Sequence, residues 1–169
     1  MARLRKAVAY RKLERPYTRK SKYRNRSYVR AVPNNKIVKY VMGDTKKEFP
    51  SEIILTSGAD IQVRHNSLES ARLAANRYLE RNLGKKGFQL KLRVYPHHIL
   101  RENPLASGAG ADRMSTGMKK SFGKSIGLAA QVRKGQTLLS VTVEKGQEKI
   151  AREALRRSLS KFPMSGQIL

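Results

Sequence analysis

The stretch from residue 101 to residue 127 constrains the fold of this chain more than any other feature. It holds five glycines among basic and small polar residues, and no single strand or helix period runs through it. Loops of this length are uncommon inside compact domains, where they are usually functional or disordered. We therefore predict a long functional loop at residues 101–127, and the fold has to be built from the segments on either side.

Strand patterns occupy four segments before this loop. Short apolar runs at residues 37–41 and 53–56, and a brief alternation at 61–64, predict strands. Residues 88–95 alternate apolar side chains with polar and basic ones, which is the period of a half-buried strand. The basic residues of that last segment would form its outer face.

Two helices are predicted from apolar residues that recur on one face. The first begins near Asn66 and Glu69, which have the spacing of a capping box, and it ends at Gly84. The second covers residues 149–159, presents basic side chains on its other face, and is closed by Pro163.

A hairpin is predicted after the loop, because apolar runs at residues 128–132 and 137–143 flank a short basic turn. The strands and the two widely spaced helices show no regular βαβ alternation. This pattern predicts an α+β fold, with two helices packed against a mostly antiparallel sheet. We expect residues 33–169 to form this single domain and residues 1–32 to form a basic extension.

The net charge of the chain distinguishes between its possible partners. Its 37 lysines and arginines outnumber 12 acidic residues, which leaves a formal net charge of +25. Self-repulsion on this scale opposes a compact state unless a polyanion neutralises it, so a nucleic acid is the expected partner. A membrane is the weaker candidate, because no apolar run approaches the length of a spanning helix and the first residues lack a signal-peptide core. Without cysteine there is no disulfide, thiol nucleophile or cysteine-based zinc site.

Residues 1–30 carry the densest charge, with twelve basic residues, one acid and four interleaved tyrosines. A segment this poor in aliphatic residues cannot bury enough surface to order itself, so we expect it to fold only against a partner. Tyrosines offer stacking faces and cations offer phosphate contacts, which favours nucleic-acid binding over a merely solubilising tail. The predicted RNA contacts of this extension are Arg3, Arg5, Lys6, Arg11, Lys12, Arg15, Arg19, Lys20, Lys22, Arg24 and Arg26.

The long loop divides into two parts. Apolar side chains recur every four positions from Met114 to Ile126, which favours a short helix anchoring the second half over an apolar binding stripe. Residues 102–112 would be the free part, whose small residues let the backbone approach a crowded partner. Basic side chains between positions 113 and 124 would contact phosphates near its base.

No catalytic, cofactor or metal site is predicted. The glycines of residues 108–113 lack the third glycine of a dinucleotide fingerprint, and those of residues 117–125 are one residue too far apart for a P-loop. His97 and His98, followed by Glu102, have no recognised metal-ligand spacing. Adjacent side chains on a strand also point to opposite faces, which argues against the two histidines sharing one metal ion. The scattered acids offer no general acid or base.

Two other functional classes remain as alternatives. An RNA-modifying enzyme would use the glycine-rich loop to hold a cofactor, and stoichiometric binding of a nucleotide cofactor would favour that class. A DNA-binding chromatin or repressor protein would account for the charge, although the sequence contains no recognition-helix motif.

Four segments resemble a known family. They are GAGADRMSTGMKKSFGK at residues 108–124, RPYTRKSKYRNRSYVRAVP at 15–33, LESARLAANRYL at 68–79 and AREALRRSLSKFP at 151–163. In their order, and over nearly the whole chain, they are similar to the large-subunit ribosomal protein family called L-ten-e in archaea and eukaryotes, the counterpart of bacterial L-sixteen. The short segment after the last predicted helix resembles archaeal members rather than the longer eukaryotic ones.

This resemblance implies a hammerhead-like α+β fold, no enzymatic activity, no cofactor, and a cytoplasmic location within the large ribosomal subunit. The implied partners are large-subunit rRNA at the base of the central protuberance, the 5S rRNA region, tRNA acceptor arms and neighbouring ribosomal proteins, with no membrane. The loop at residues 101–127 would reach toward the peptidyl-transferase centre and support tRNA positioning and translation. Its implied RNA contacts are Arg101, Arg113, Lys119, Lys120 and Lys124. Its residues nearest to tRNA and the peptidyl-transferase centre would be Ser107, Gly108, Ala109, Gly110, Ala111 and Asp112.

Overall fold

The computed structural model describes residues 5–13, 23, 32–102 and 123–169. These residues form a short 3-10 helix at Ala7–Tyr10, eight strands and two α-helices. The strands are β1 (Val41–Gly43), β2 (Ser51–Ser57), β3 (Ile61–Arg64), β4 (Phe88–Leu92), β5 (His98–Glu102), β6 (Lys124–Val132), β7 (Thr137–Val143) and β8 (Gly166–Ile168). The helices are α1 (His65–Leu83) and α2 (Glu148–Leu159).

The strands form two sheets, and neighbouring strands within each are antiparallel. The large sheet has the order β1-β4-β7-β2-β8, and the small sheet has the order β3-β6-β5. Helices α1 and α2 pack against each other, and both also contact strands. The predicted α+β class, with two helices and mostly antiparallel strands, is therefore confirmed.

The main core lies between the large sheet and the two helices. Leu55, Leu90 and Val141 are fully buried on the sheet side, and small alanines such as Ala71 face them from the helices. The hydroxyl of the buried Ser158 on α2 donates a hydrogen bond of 3.0 Å to the backbone carbonyl of Ala71 on α1. Because alanines allow close approach and this hydroxyl has a fixed acceptor, the two helices are held in one register.

The predicted hairpin is wrong, although its two strands exist. Strand β6 pairs with β3 and β5 in the small sheet, whereas β7 pairs with β2 and β4 in the large one. The turn between them crosses from one sheet to the other, and the backbone N–H of Lys134 donates to the carboxylate of Asp60 at 2.6 Å. An alternation of side chains predicts a strand but does not predict which strand it pairs with. Here β6 and β7 pair with strands from distant parts of the chain and not with each other.

Other element boundaries also differ from the predictions. Of the predicted strand at residues 37–41, only position 41 lies in a strand. Ile37 is buried, but it lies in irregular backbone before β1 begins. Strands β5 and β8 lie in segments for which no strand was predicted. Both are short, and neither has a long apolar alternation.

The capping box predicted at the start of α1 is also wrong. The helix begins at His65 with no side-chain cap, so Asn66 lies in its first turn, where its Oδ1 is buried and has no hydrogen-bond partner in the described part of the chain. Glu69 instead pairs with Arg72 one turn further on. A spacing of three residues serves an ion pair on a helix as well as a capping box. The end of α1 at Gly84, with φ of +70°, agrees with the prediction.

Candidate RNA-binding surface

The small sheet brings together two basic segments that are far apart in the sequence. Tyr10, in the N-terminal extension, is only 2% exposed. It forms a small apolar cluster with Leu100 of β5 and Ala129 of β6, against which Ile126 also packs. The extension therefore lies on the same strands that lead into and out of the long loop.

Hydrogen bonds to the backbone hold the extension in this position. The side-chain amide of Gln62 donates to the carbonyl of Tyr10 at 2.9 Å, and the Gln62 backbone N–H donates to the carbonyl of Arg11 at 3.0 Å. Arg64 donates from Nη1 to the carbonyl of Arg5 at 2.8 Å. The prediction that the extension orders only against a partner is therefore wrong for residues 5–13, because one aromatic anchor and three hydrogen bonds order them on the domain itself.

This docking leaves the predicted cations of the extension near solvent. Arg5, Lys6 and Lys12 are exposed, and Arg11 is half-buried. The Nε of Arg11 is buried and has no hydrogen-bond partner among the described residues. A basic ridge thus runs along the edge of the small sheet, with its backbone bonded to the protein and its charges available to a polyanion.

The base of the long loop is a pair of strands, which corrects the predicted boundaries of that loop. Arg101 pairs with Ser125, and Glu102 pairs with Lys124, so both ends of residues 101–127 belong to β5 and β6. Ile126 is likewise part of a strand and not of the expected short helix. The predicted contact Lys124 is exposed, and Arg101 is half-buried beside it on the neighbouring strand. The two ends of the loop form a stem that continues the small sheet, because their backbone N–H and C=O groups pair between β5 and β6.

Many of the predicted site residues lie outside the described residues. In the extension these are Arg3, Arg15, Arg19, Lys20, Lys22, Arg24 and Arg26. In the loop they are Arg113, Lys119, Lys120, and Ser107, Gly108, Ala109, Gly110, Ala111 and Asp112, which were expected nearest to tRNA. Their roles stay predictions.

A cleft of about 270 Å³ opens between the extension, the first turn of α1 and the chain just after α2. Arg64 and Lys161 contribute cations to its lining, while Ser67 and Ser70 contribute hydroxyls. The Ser67 hydroxyl donates to the carbonyl of Lys161, which fixes the two walls relative to each other. Sequence reasoning missed this cleft, since Arg64 and Lys161 are almost a hundred positions apart; the only local signal is a basic residue at the end of an alternating strand.

The local potential around this cleft is positive. Burial lowers the pKa of His65, and the nearby charges of Lys36 and Arg64 lower it further. Burial likewise lowers the pKa of Arg64, although a guanidinium stays charged at physiological pH. The cations near the cleft therefore disfavour protonation of the neighbouring His65 and favour an anion as a partner.

Other kinds of site have no support in the described residues. Neither α1 nor α2 is long and apolar enough to cross a membrane. Within residues 5–13, 23, 32–102 and 123–169, no group of three His, Asp or Glu side chains is placed to hold a metal ion.

Comparison with known proteins gives a consistent result over almost the whole chain. The family model described as ribosomal protein L16p/L10e matches residues 13–169. A large ribosomal subunit protein uL16 from Methanococcus maripaludis (strain C7) is 51% identical over 167 residues, which are 98% of this chain and 93% of that protein. The protein of the same description from Archaeoglobus fulgidus is 43% identical over 163 residues, which are 96% of this chain and 90% of that protein.

These matches agree with the basic surface, the α+β fold and the order of the four segments quoted from the sequence above. The identities lie far above the level at which chance similarity arises, and they extend through both sheets and both helices. The chain belongs to the L16p/L10e family of ribosomal proteins and is similar throughout to archaeal large-subunit members of that family.

Proposed function

We propose that this protein is a structural constituent of the large ribosomal subunit that binds large-subunit rRNA through the small sheet and the two basic segments joined there. The location that follows is the cytoplasmic ribosome, with rRNA and neighbouring ribosomal proteins as partners. Membership of a ribosomal protein family also agrees with the prediction that the chain is not an enzyme.

One observation carries this proposal: the burial of Tyr10 against Leu100 and Ala129. It places the extension on β5 and β6, the two strands that lead into and out of the long loop, and we infer from this that the two basic segments act as one surface. RNA that contacts this surface neutralises charges from two distant parts of the chain at once. Most of the affinity would come from phosphate contacts, with little reading of bases.

The finer part of the proposal concerns the long loop. We propose that it reaches toward the peptidyl-transferase centre and the tRNA acceptor arms, and that the body of the protein sits near the central protuberance and the 5S rRNA region. The antiparallel stem of β5 and β6 supports this proposal, because the paired strands fix the point at which both ends of the loop leave the sheet. The small residues expected at the tip suit a crowded RNA environment.

Crosslinking inside the intact large subunit tests this proposal. A photoreactive residue replaces Lys124 at the stem, another replaces Lys12 in the extension, and a third replaces Ala109 in the loop. We expect the first two to crosslink to neighbouring stretches of large-subunit rRNA, and the third to crosslink near the peptidyl-transferase centre or to bound tRNA. Crosslinks of Lys12 and Lys124 to distant rRNA regions would contradict a joint surface.

Salt dependence of binding gives an independent test. The logarithm of the binding constant for purified large-subunit rRNA should fall steeply and linearly with the logarithm of salt concentration. A slope that corresponds to fewer than about three phosphate contacts would contradict a role for both extension and body.

A further inference from the structure

A groove runs between α1 and the end of α2 and has a volume of about 520 Å³. Ala74, Tyr78 and Ser160 are among the residues that line it. It shares Lys161 with the cleft beside the extension. The side chains of Ala74 and Ser160 are short, so the groove is open enough for an extended chain to lie close to the helix backbones.

Every charged side chain that lines this groove is basic. Arg77 and Arg81 lie one turn apart on α1, while Arg157 and Lys161 face them from α2 and the turn after it. All four are exposed. The groove therefore concentrates four positive charges from α1, α2 and the turn after α2, which suits a polyanion better than a single ion.

Three of these four cations are not offset by an acidic side chain of the described residues: Arg77, Arg81 and Lys161 form no ion pair there. The fourth, Arg157, pairs with Glu153 at 3.2 Å. Holding like charges together costs free energy in the isolated protein, and an anionic partner recovers it.

The geometry of the groove is fixed before any partner arrives. The guanidinium carbon of Arg157 lies 4.1 Å from the centre of the Tyr78 ring, so this pair stacks across the two helices. Beneath it, the Ser158 hydroxyl bonds to the carbonyl of Ala71 and locks the helices together. A preformed site loses little conformational entropy on binding.

We propose that this groove, defined by Ala74, Arg77, Tyr78, Arg81, Arg157, Ser160 and Lys161, binds the sugar-phosphate backbone of rRNA as a second contact surface. The proposal rests on the function inferred above and adds a site between the two helices, which shares Lys161 with the cleft beside the extension. An acidic segment of a neighbouring ribosomal protein is the alternative occupant. The groove favours RNA because it joins four cations with no acidic side chain among the described residues of its lining, and because the short side chains of Ala74 and Ser160 leave room for a ribose-phosphate chain.

Charge-neutralising variants of the full-length protein test the site in solution. The double variant R77Q/R81Q removes the two unpaired cations that line this groove and not the cleft, and it breaks no ion pair of the described residues. We expect its slope of log binding constant against log salt for purified large-subunit rRNA to be smaller by about 2 than that of the wild type. Its thermal unfolding should stay within about 2 °C, because exposed substitutions of this kind change stability little.

The matched control is K46Q/K145Q, which carries the same change in net charge at exposed lysines in turns. We expect its slope to change by less than about 1. Equal changes in the two variants would show that only overall charge matters and would overturn the groove as a site. Absence of salt-dependent rRNA binding by the wild type would instead contradict the proposed function itself.

Crosslinking in the assembled subunit decides between the two occupants. A benzoylphenylalanine at position 160 places a photoreactive group in the middle of the groove. Crosslinks to rRNA are the expected result. Crosslinks to another ribosomal protein and none to rRNA would overturn the proposal, even if Lys12 and Lys124 crosslink to rRNA as proposed for the small sheet.

Discussion

Glu69 and Arg72 form a bidentate ion pair on the inner side of α1, in which Nε and Nη2 of the arginine donate to the two carboxylate oxygens at 2.9 and 2.5 Å. The arginine is 6% exposed, and its Nη1 also lies 3.1 Å from the sulfur of Met42. A guanidinium in this position depends on its carboxylate, because little water reaches it.

Loss of that carboxylate should therefore be costly. We expect Glu69→Leu to lower the free energy of unfolding by about 3 kcal/mol, since it leaves a buried charge without a partner. Urea denaturation measures the change. The double variant Glu69→Leu/Arg72→Met should recover most of the loss, because well-packed apolar side chains replace the pair. A double variant as unstable as the single one would show that the ion pair stabilises the fold by more free energy than its burial costs.

A glycine comparison tests how closely β1 approaches β4. Gly43 has φ of +87°, and a Cβ built on it would clash with the carbonyl oxygen of Phe88. Gly84 has φ of +70° but has nothing within 4 Å of such an atom. Gly84→Ala should therefore cost only about 1 kcal/mol for its backbone conformation. Gly43→Ala should cost about 3 kcal/mol, because the steric clash is added. Equal melting temperatures of the two variants would contradict this account.

His65 should make stability fall on acidification. It is 4% exposed, and burial, followed by the charges of Lys36 and Arg64, lowers its pKa below the usual 6.5. Between the lowered value and about 6.5 the unfolded chain binds more protons than the folded one, so the free energy of unfolding decreases as pH decreases. Above about pH 7 both states are neutral at this position and the effect is absent. Urea titrations from pH 7.5 to 5 should show a smaller pH dependence for His65→Gln than for the wild type.

The bond from Gln62 to Tyr10 should control access to the extension. Removing it with Gln62→Ala deprives the Tyr10 carbonyl of its donor, which costs about 1 kcal/mol of local stability. Trypsin cleavage after Arg11 or Lys12 should then be about fivefold faster under native conditions. Gln131→Ala is the matched control, because Gln131 lies opposite Gln62 on β6 and should leave cleavage unchanged. Unchanged cleavage in both variants would mean that the buried Tyr10 and the two remaining hydrogen bonds, to the carbonyls of Arg11 and Arg5, hold the extension without the Gln62 amide.

Local sequence patterns predicted most helices and strands. They failed where contacts with residues distant in the sequence determine the strand pairing or the start of a helix. Both helices and several strands follow from side-chain periodicity, because burial on one face imposes that period. The partner of β6 does not follow from it, since register with Ile61–Arg64 depends on the whole fold. Glu69 has a spacing that fits two interactions, and only the true start of α1 distinguishes them.

The candidate surface was predictable in kind but not in arrangement. Charge density pointed to the extension and to the loop, because a polyanion partner requires many cations. Their meeting at the small sheet depends on the burial of a single tyrosine, which no periodic pattern marks. The groove between the helices depends on Arg77 and Lys161 coming together from distant positions, and spacing along the chain carries no sign of that.

The position of β7 in the large sheet sets the order in which the chain can fold during its own synthesis. Strands β3, β5 and β6 all precede β7 in the chain, so the small sheet and the extension that docks on it can assemble early. Strand β2 pairs with β7 and β8, which are both made later. The basic surface is thus complete while apolar side chains such as Leu55 still await their partners, and a nascent chain in this state combines a dense positive charge with exposure to aggregation. Protection of the half-made chain is therefore most needed from the completion of β6 until β7, α2 and β8 have all been made.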